Sequence, residues 1–180
     1  KFVIHNAVVV DATWNPDFSQ VESDEPQETL NQRFEVFFPE LRPFFLENAS
    51  YFSSPLNLVF TRRIADPQAG GRVTGKLGSW AFGALASDDR SPGEIRAPGV
   101  NSGVRALFSA LRISRDVGRD DNVGMIFTGR TAPGVTNQVG GIDGRFTFAR
   151  SWTASAQAVT SVTDESGARR TGHASEVGLR

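Results

Sequence analysis

The sequence has no cysteine and only two histidines, His5 and His173. The lack of cysteine excludes disulfide bonds, thiolate nucleophiles and cysteine-ligated metals. The histidines lie far apart in the chain and outside any motif such as HExxH, so no metal site is expected. The string GGRVTGK at residues 70–76 approaches a phosphate-binding loop, but Leu77 stands where that loop needs Ser or Thr. No cofactor is expected either.

The chain also lacks a cationic excess and a long apolar run. Its formal net charge is -1, whereas a protein that neutralises several phosphates needs a clear excess of Lys and Arg. Nucleic acid is therefore not an expected partner. There is no run of about eighteen apolar residues, so no membrane helix is predicted. The content of 39% hydrophobic and 22% charged residues is near the globular average, and a single domain over residues 1–180 is expected.

Period-two alternation is the main structural signal in what is present. From Trp152 to Val162 the even positions are mostly apolar and the odd positions mostly polar, which is typical of a strand with two different faces. The same alternation occurs around Met125 and around Phe146. A further strand is predicted to begin at Leu56. Eighteen glycines spread along the chain agree with a β-rich fold that has close backbone approaches.

The connections between the predicted strands alternate between short and long. The strands are expected at residues 1–14, 71–77, 80–87, 104–116, 122–130, 138–149, 152–163 and 173–180. Long loops are expected at residues 88–103, 131–138 and 164–173, with short turns between the other strands. Alternating loop lengths and strands of about eight to thirteen residues are typical of an outer-membrane barrel. The predicted fold is all-β, an antiparallel up-and-down meander that forms part of such a barrel. A soluble antiparallel sandwich or meander is the alternative.

Residues 15–52 form an unusual segment between the first strand and the later ones. Its first half is polar, with a short helix predicted near residues 25–33, and its second half combines phenylalanines with prolines. Prolines this close together do not suit a strand. We expect the segment to lie inside the barrel as a plug or at its rim, with the phenylalanines packed as core.

Several strings of this sequence resemble consecutive motifs of the DUF5916 family of bacterial envelope proteins. The strings are DATWNPDFSQVESDEPQETL, RFEVFFPELRPFFLENASYF, LVFTRRI, GGRVTGKLGSWAFGAL and SRDVGRDDNVGMIFTGR. In that family a domain similar to family 9 carbohydrate-binding modules precedes a C-terminal region that looks like an outer-membrane barrel. The resemblance covers about residues 11–150, lacks the carbohydrate-binding module, and implies the first eight or nine strands, approximately, of a larger barrel.

The resemblance implies a bacterial outer-membrane location and a role in the uptake, passage or surface handling of saccharide-type solutes. The expected partners are outer-membrane lipid, the remaining barrel strands or another envelope protein, and saccharide. Polar residues that would line or bind within the lumen are Arg42, Arg62, Arg63, Asp143 and Arg145.

Two other functions stay open at this point. One is a glycan hydrolase, in which two carboxylates would serve as acid and base. The candidates for that role are Glu22, Asp24, Glu40 and Glu47. The other is a structural or assembly subunit that docks through exposed strand edges. Most acidic clusters are solvated or paired with arginine, so the balance is against an enzyme.

Overall fold

A computed structural model of the chain describes residues 1–5, 7–16, 40–90, 105–148 and 152–180. Within these ranges nine strands form one antiparallel sheet, and their order in the sheet follows the chain. The strands are β1 (Phe2–Ile4), β2 (Val8–Trp14), β3 (Pro67–Leu77), β4 (Trp80–Asp89), β5 (Ala106–Asp116), β6 (Asn122–Ala132), β7 (Val135–Phe148), β8 (Trp152–Glu165) and β9 (Ala168–Leu179). The predicted all-β antiparallel meander is confirmed. The sheet is open, with β1 and β9 as its edge strands.

Helical structure is short. The helix α1 (Pro43–Leu46) is followed by two 3-10 turns, Ala49–Phe52 and Thr61–Arg63. Pro43 occupies the first turn of α1, where its missing N–H costs no hydrogen bond. No helix in the described ranges has the length and apolar character needed to cross a membrane. The helix predicted near residues 25–33 lies outside the described residues.

Two of the predicted long loops are wrong. The connection expected at residues 131–138 is the two-residue turn Pro133–Gly134, and the one expected at 164–173 is Ser166–Gly167. Gly134, Ser166 and Gly167 have positive φ, the conformation that tight hairpins require. The polar residues after each turn indicate a loop, but they belong to β7 and β9, where they alternate between the two faces of the sheet. Residues 88 and 89 of the loop predicted at 88–103 belong to β4, and residues 91–103 lie outside the described residues.

The strand predicted to begin at Leu56 is also wrong. Residues 55–60 have no regular secondary structure. The sheet leaves no place for a strand here, because β2 pairs directly with β3 from Val8 opposite Gly75 to Trp14 opposite Ala69. Val59 of this stretch instead packs against the buried hydrophobic core.

Residues 40–66, called here the inner segment, lie across one face of the sheet. The core forms where this segment meets the strands. It consists of Phe45, Phe52 and Ile64 from the segment and Leu85 and Ala110 from the sheet. Phe44 and Tyr51 pack against this cluster. Phe44 and Phe45, two of the phenylalanines predicted to pack as core, therefore do so, whereas Phe34, Phe37 and Phe38 lie outside the described residues.

Candidate functional site

The sheet has one apolar face, which the inner segment does not cover. Its exposed large side chains include Trp14, Leu77, Trp80, Leu107, Leu111, Val123, Met125, Phe127, Ile142, Phe146, Phe148, Trp152, Val177 and Leu179. Cross-strand register places them on the same side, since for example Leu111 lies opposite Phe127 and Met125 lies opposite Ile142. Successive strands therefore expose a continuous apolar belt to the surroundings, far larger than scattered surface hydrophobics.

Aromatic side chains of this belt collect near the ends of strands. Trp80 follows the turn between β3 and β4, and Phe148 pairs with Trp152 beside the connection between β7 and β8. The guanidinium of Arg115 lies 5.3 Å from the Trp80 ring centroid. Amphipathic rings with a nearby cation at strand ends are typical of a surface that meets an apolar phase in the middle and water at its edge.

The opposite face, called here the polar face, carries a buried ion pair beside the core residues Leu85 and Ala110. Arg112 of β5 binds both carboxylate oxygens of Asp143 of β7, with Nη2 at 2.7 Å from Oδ1. The two side chains are only 7% and 3% exposed. The guanidinium crosses β6 at Gly124, where an added Cβ would lie 2.9 Å from Arg112 Nη2. An added Cβ would therefore force the end of the Arg112 side chain to shift from its present position.

Arg72 of β3 joins the sheet to the start of the inner segment. It donates to the main-chain carbonyls of Phe44 and Glu47, and its Nη2 is 2.9 Å from Asp11 Oδ2 on β2. Its side chain is 2% exposed, so water competes little for its hydrogen bonds to the two carbonyls. The guanidinium also lies 5.3 Å from the Phe44 ring centroid. One arginine thus holds α1 against the sheet by charge, hydrogen bonds and ring contact.

Two further polar side chains hold the rest of the inner segment. Gln157 of β8 accepts a hydrogen bond from the Leu56 amide at 2.6 Å. The carboxylate of Asp89, at the end of β4, accepts from the amides of Ala65 and Asp66 at 2.9 and 2.8 Å. The segment is therefore attached from β3 to β8, across most of the width of the sheet.

Glycines allow the rings of the segment to approach the sheet closely. A Cβ at Gly70 would lie 3.1 Å from the Phe44 ring, and one at Gly83 would lie 3.0 Å from the Phe52 ring. Both contacts are tighter than ordinary van der Waals distance. Small residues on the inner face therefore allow the aromatic side chains to pack directly against the backbone of the sheet.

Within the inner segment, Glu40 and Arg42 form a partly buried cluster. Arg42 donates to both Glu40 oxygens and to the carbonyls of Thr61 and Ile64, and its guanidinium lies 4.4 Å from the Phe45 ring centroid. Burial alone would raise the pKa of Glu40, but hydrogen bonds from Arg42 and from the Thr61 hydroxyl outweigh it and hold the pKa below its usual value.

Of the four carboxylates predicted as candidates for an acid and base pair, Glu40 and Glu47 lie among the described residues. Glu40 is bound by Arg42, whereas Glu47 pairs with Lys1 and lies 3.6 Å from Arg72. Each carboxylate therefore has its own cationic partner. The other two candidates, Glu22 and Asp24, lie outside the described residues.

The predicted lumen residues fall in three places. Arg42 is buried in the inner segment, and Asp143 lies on the polar face in the ion pair with Arg112. Arg145 lies on the same face two residues further along β7, opposite Asn122 and Ser155, and is exposed. The remaining two, Arg62 and Arg63, belong to the second 3-10 turn and have interactions of their own.

The sequence analysis did not identify several polar residues of the sheet that form buried ion pairs or bind the inner segment. These are Arg72, Asp89, Arg112 and Gln157, together with Asp11. Each occupies a polar position in a strand that was predicted, or in the part of a strand that runs beyond its predicted end. The alternation of polar and apolar residues could therefore have placed it on the inner face. Its partner depends on register and on the path of the inner segment, which alternation does not specify.

The fold and its two faces define an antiparallel β-sheet protein with one exposed apolar face and one polar face covered by an inner segment. Residues 1–76 match the family model described as a domain of unknown function, DUF5916. The match confirms the family resemblance for this part of the chain, which contains β1, β2, the inner segment and nearly all of β3. Neither a curated protein nor a solved structure matches the chain.

Proposed function

We propose that this chain forms part of a β-barrel in the bacterial outer membrane, with its apolar face toward lipid and its polar face toward the lumen. The observation that carries this proposal is the division of the sheet into an exposed apolar belt and a buried, ion-paired face. In a soluble sheet protein the apolar face would be the covered one. Here the covered face combines the core residues Leu85 and Ala110 with buried ion pairs, while the apolar belt on the other face stays exposed, which is the arrangement of a membrane barrel.

Strand length agrees with a membrane crossing. The strands from β3 to β9 have between 10 and 14 residues. A tilted strand needs about 9 to 11 residues to cross the hydrocarbon core of a bilayer. The additional residues of β7 and β8 would extend beyond the lipid, where polar positions such as Asn137 and Thr163 are bound to each other at 2.8 Å.

The polar face supports a role in the uptake, passage or surface handling of saccharide-type solutes. It offers charged groups, amides and hydroxyls, the groups that hydrogen-bond to sugar hydroxyls, and the inner segment would narrow the lumen. Arg145 is an exposed cation on this face and is the residue we expect a passing solute to meet.

Closure of the barrel needs additional strands. In lipid, an edge strand leaves backbone N–H and C=O groups without hydrogen-bond partners. Each unsatisfied group costs on the order of several kcal/mol. The open edges β1 and β9 therefore support pairing with remaining strands of the protein or with a partner envelope protein. A structural role in an envelope complex would use the same two edges.

A glycan hydrolase has less support. A general acid needs a carboxyl group whose pKa is raised, whereas the surroundings of Glu40 lower its pKa. Glu47 is engaged with two cations. Each of the two described candidates therefore has cationic partners, which counts against both roles.

Membrane partitioning of the native protein tests the location. Envelopes are fractionated, washed with sodium carbonate and extracted with detergent, and the extract is run on a gel before and after boiling. We expect the protein in the carbonate-resistant outer-membrane fraction, with a different migration after boiling. Recovery in the carbonate wash with heat-independent migration would contradict the barrel.

Vesicle permeability tests the function separately. The purified native protein is reconstituted into vesicles, and entry of neutral di- and trisaccharides is measured by swelling. We expect faster entry than into protein-free vesicles, and a change in rate when Arg145 is replaced by Ala. Vesicles that contain the inserted protein yet stay impermeable would contradict passage while leaving the location intact.

A further inference from the structure

A cavity of ≈ 280 Å³ lies between the inner segment and the strands β4 to β7. Phe60 and Ile64 of the segment form one wall, and Leu85, Phe108 and Val139 of the strands form the other. Its volume is close to the lower end of the range for small-molecule sites, about 300 to 1,000 Å³. Only a small ligand with an apolar body fits such a space.

One end of this cavity is cationic. Arg130 of β6 lines it, and its guanidinium lies 5.6 Å from the Phe108 ring centroid. The Nε atom of Arg130 is buried and has no hydrogen-bond partner in the described part of the chain. Arg63 also lines the cavity and has interactions of its own. No carboxylate is found among the described residues of the lining, so nothing there neutralises Arg130.

The polar end of the cavity is held in place by the sheet. Asn137 of β7 lies opposite Arg130 in the register, and its Nδ2 donates to Thr163 Oγ1 of β8 at 2.8 Å. An anionic group inside the cavity would pair with the guanidinium of Arg130, because the described lining holds no carboxylate.

We propose that this cavity binds a small organic monoanion, an aryl or short alkyl carboxylate. The carboxylate pairs with Arg130, and the apolar body lies between Ile64 of the segment and Leu85 and Phe108 of the strands. This ligand differs from the neutral saccharides of the proposed function. It does not depend on a membrane location, because both walls of the cavity belong to the contact between the inner segment and the sheet.

The test uses benzoate as the probe and benzyl alcohol as its uncharged counterpart. The purified full chain is titrated with each compound, affinities are measured by calorimetry, and methyl chemical shifts of Leu85 and Val139 locate the bound compound. We expect benzoate to bind at least about ten-fold more tightly than benzyl alcohol, the factor that one charge-assisted hydrogen bond supplies.

Three variants test separately the charge of Arg130, a charge outside the cavity and the free volume of the cavity. Arg130→Gln is expected to lower benzoate affinity about ten-fold and to leave benzyl alcohol unchanged. Arg115→Gln is the matched control on the apolar face and should alter neither. Val139→Phe fills the cavity and should weaken both compounds. Circular dichroism verifies the strand content of each variant.

Three results would overturn the proposal. They are equal affinity for benzoate and benzyl alcohol, unchanged benzoate binding in the folded Arg130→Gln variant, or shifts confined to residues away from the cavity. Because each readout is binding to the purified chain, failure here is distinguishable from failure of the membrane location, which is measured by fractionation.

Discussion

Arg112 on β5 binds Asp143 on β7 across the strand that separates them, and its guanidinium passes over Gly124 of that strand. The pairing is diagonal, since Arg112 lies opposite Ile126 in the register while Gly124 lies opposite Asp143. Three strands are therefore coupled by one ion pair in addition to their backbone hydrogen bonds.

Removing the charge of Asp143 should destabilise the protein strongly. Asp143→Asn leaves Arg112 buried without a counter-ion, and breaking a buried pair in this way costs about 3 to 5 kcal/mol. The free energy of unfolding in urea measures the loss. Asp116→Asn is the control, because its partner Lys76 is exposed and the pair contributes little. Equal stability of the two variants would contradict a structural role for the buried pair.

Gly124 should tolerate no side chain that blocks this crossing. In Gly124→Ala the new methyl group would displace the guanidinium, so we expect a loss of about 1 to 3 kcal/mol from the weakened pair. Gly71→Ala is the matched control on β3, where an added Cβ meets nothing within 4 Å. If the two alanine variants unfold at the same urea concentration, Arg112 does not need the space above Gly124.

The carboxylate of Asp89 should control the end of the inner segment. Asp89→Ala removes the acceptor of the Ala65 and Asp66 amides, which are expected to lose hydrogen-exchange protection, with a stability loss of about 1 to 3 kcal/mol. Asp88→Ala changes the neighbouring carboxylate, which binds Arg105 at the exposed surface. Protection of the two amides should survive in that control. Loss of protection in both variants would indicate general loosening of β4 instead.

Acid should loosen the inner segment through Glu40. Its pKa is lowered in the folded state, so the carboxylate stabilises the fold above its usual value of 4.5 and loses that contribution as the pH falls through the lower folded value. We expect the free energy of unfolding to fall with pH below about 4.5, and to fall less steeply in Glu40→Gln. Glu165→Gln, at the exposed end of β8, is the matched control. A profile for Glu40→Gln that coincides with the native one would contradict this account.

Alternation in the sequence predicted the sheet better than it predicted the connections. The strand from Trp152 was found because its two faces differ in polarity. The sequence predicts longer loops at the turns Pro133–Gly134 and Ser166–Gly167, because polar residues follow both turns. In a sheet whose inner face is polar, such residues belong equally to a strand, so polarity alone does not locate the end of a strand.

The site was less accessible to prediction than the fold. Arg42 and Asp143 are predicted to line the lumen, which stays a prediction, and in the structure each forms an ion pair. Arg72 and Gln157 were missed, because their partners are main-chain groups of the inner segment. A segment without period-two or helical regularity gives no register, so the sequence does not indicate which of its amides and carbonyls will need a side chain from the sheet.

The apolar face should respond to charge according to depth. Leu111 lies in the middle of β5 and Leu107 near its start, and both belong to the exposed belt. If this face contacts lipid, Leu111→Arg should cost about 2 to 4 kcal/mol because it places a charge near the bilayer midplane, whereas Leu107→Arg should cost about 0 to 1 kcal/mol. Urea unfolding of the native protein and both variants in vesicles measures the difference. In a soluble sheet protein both positions face water and the two arginine variants would unfold alike, so equal stabilities would remove the physical basis for a membrane barrel.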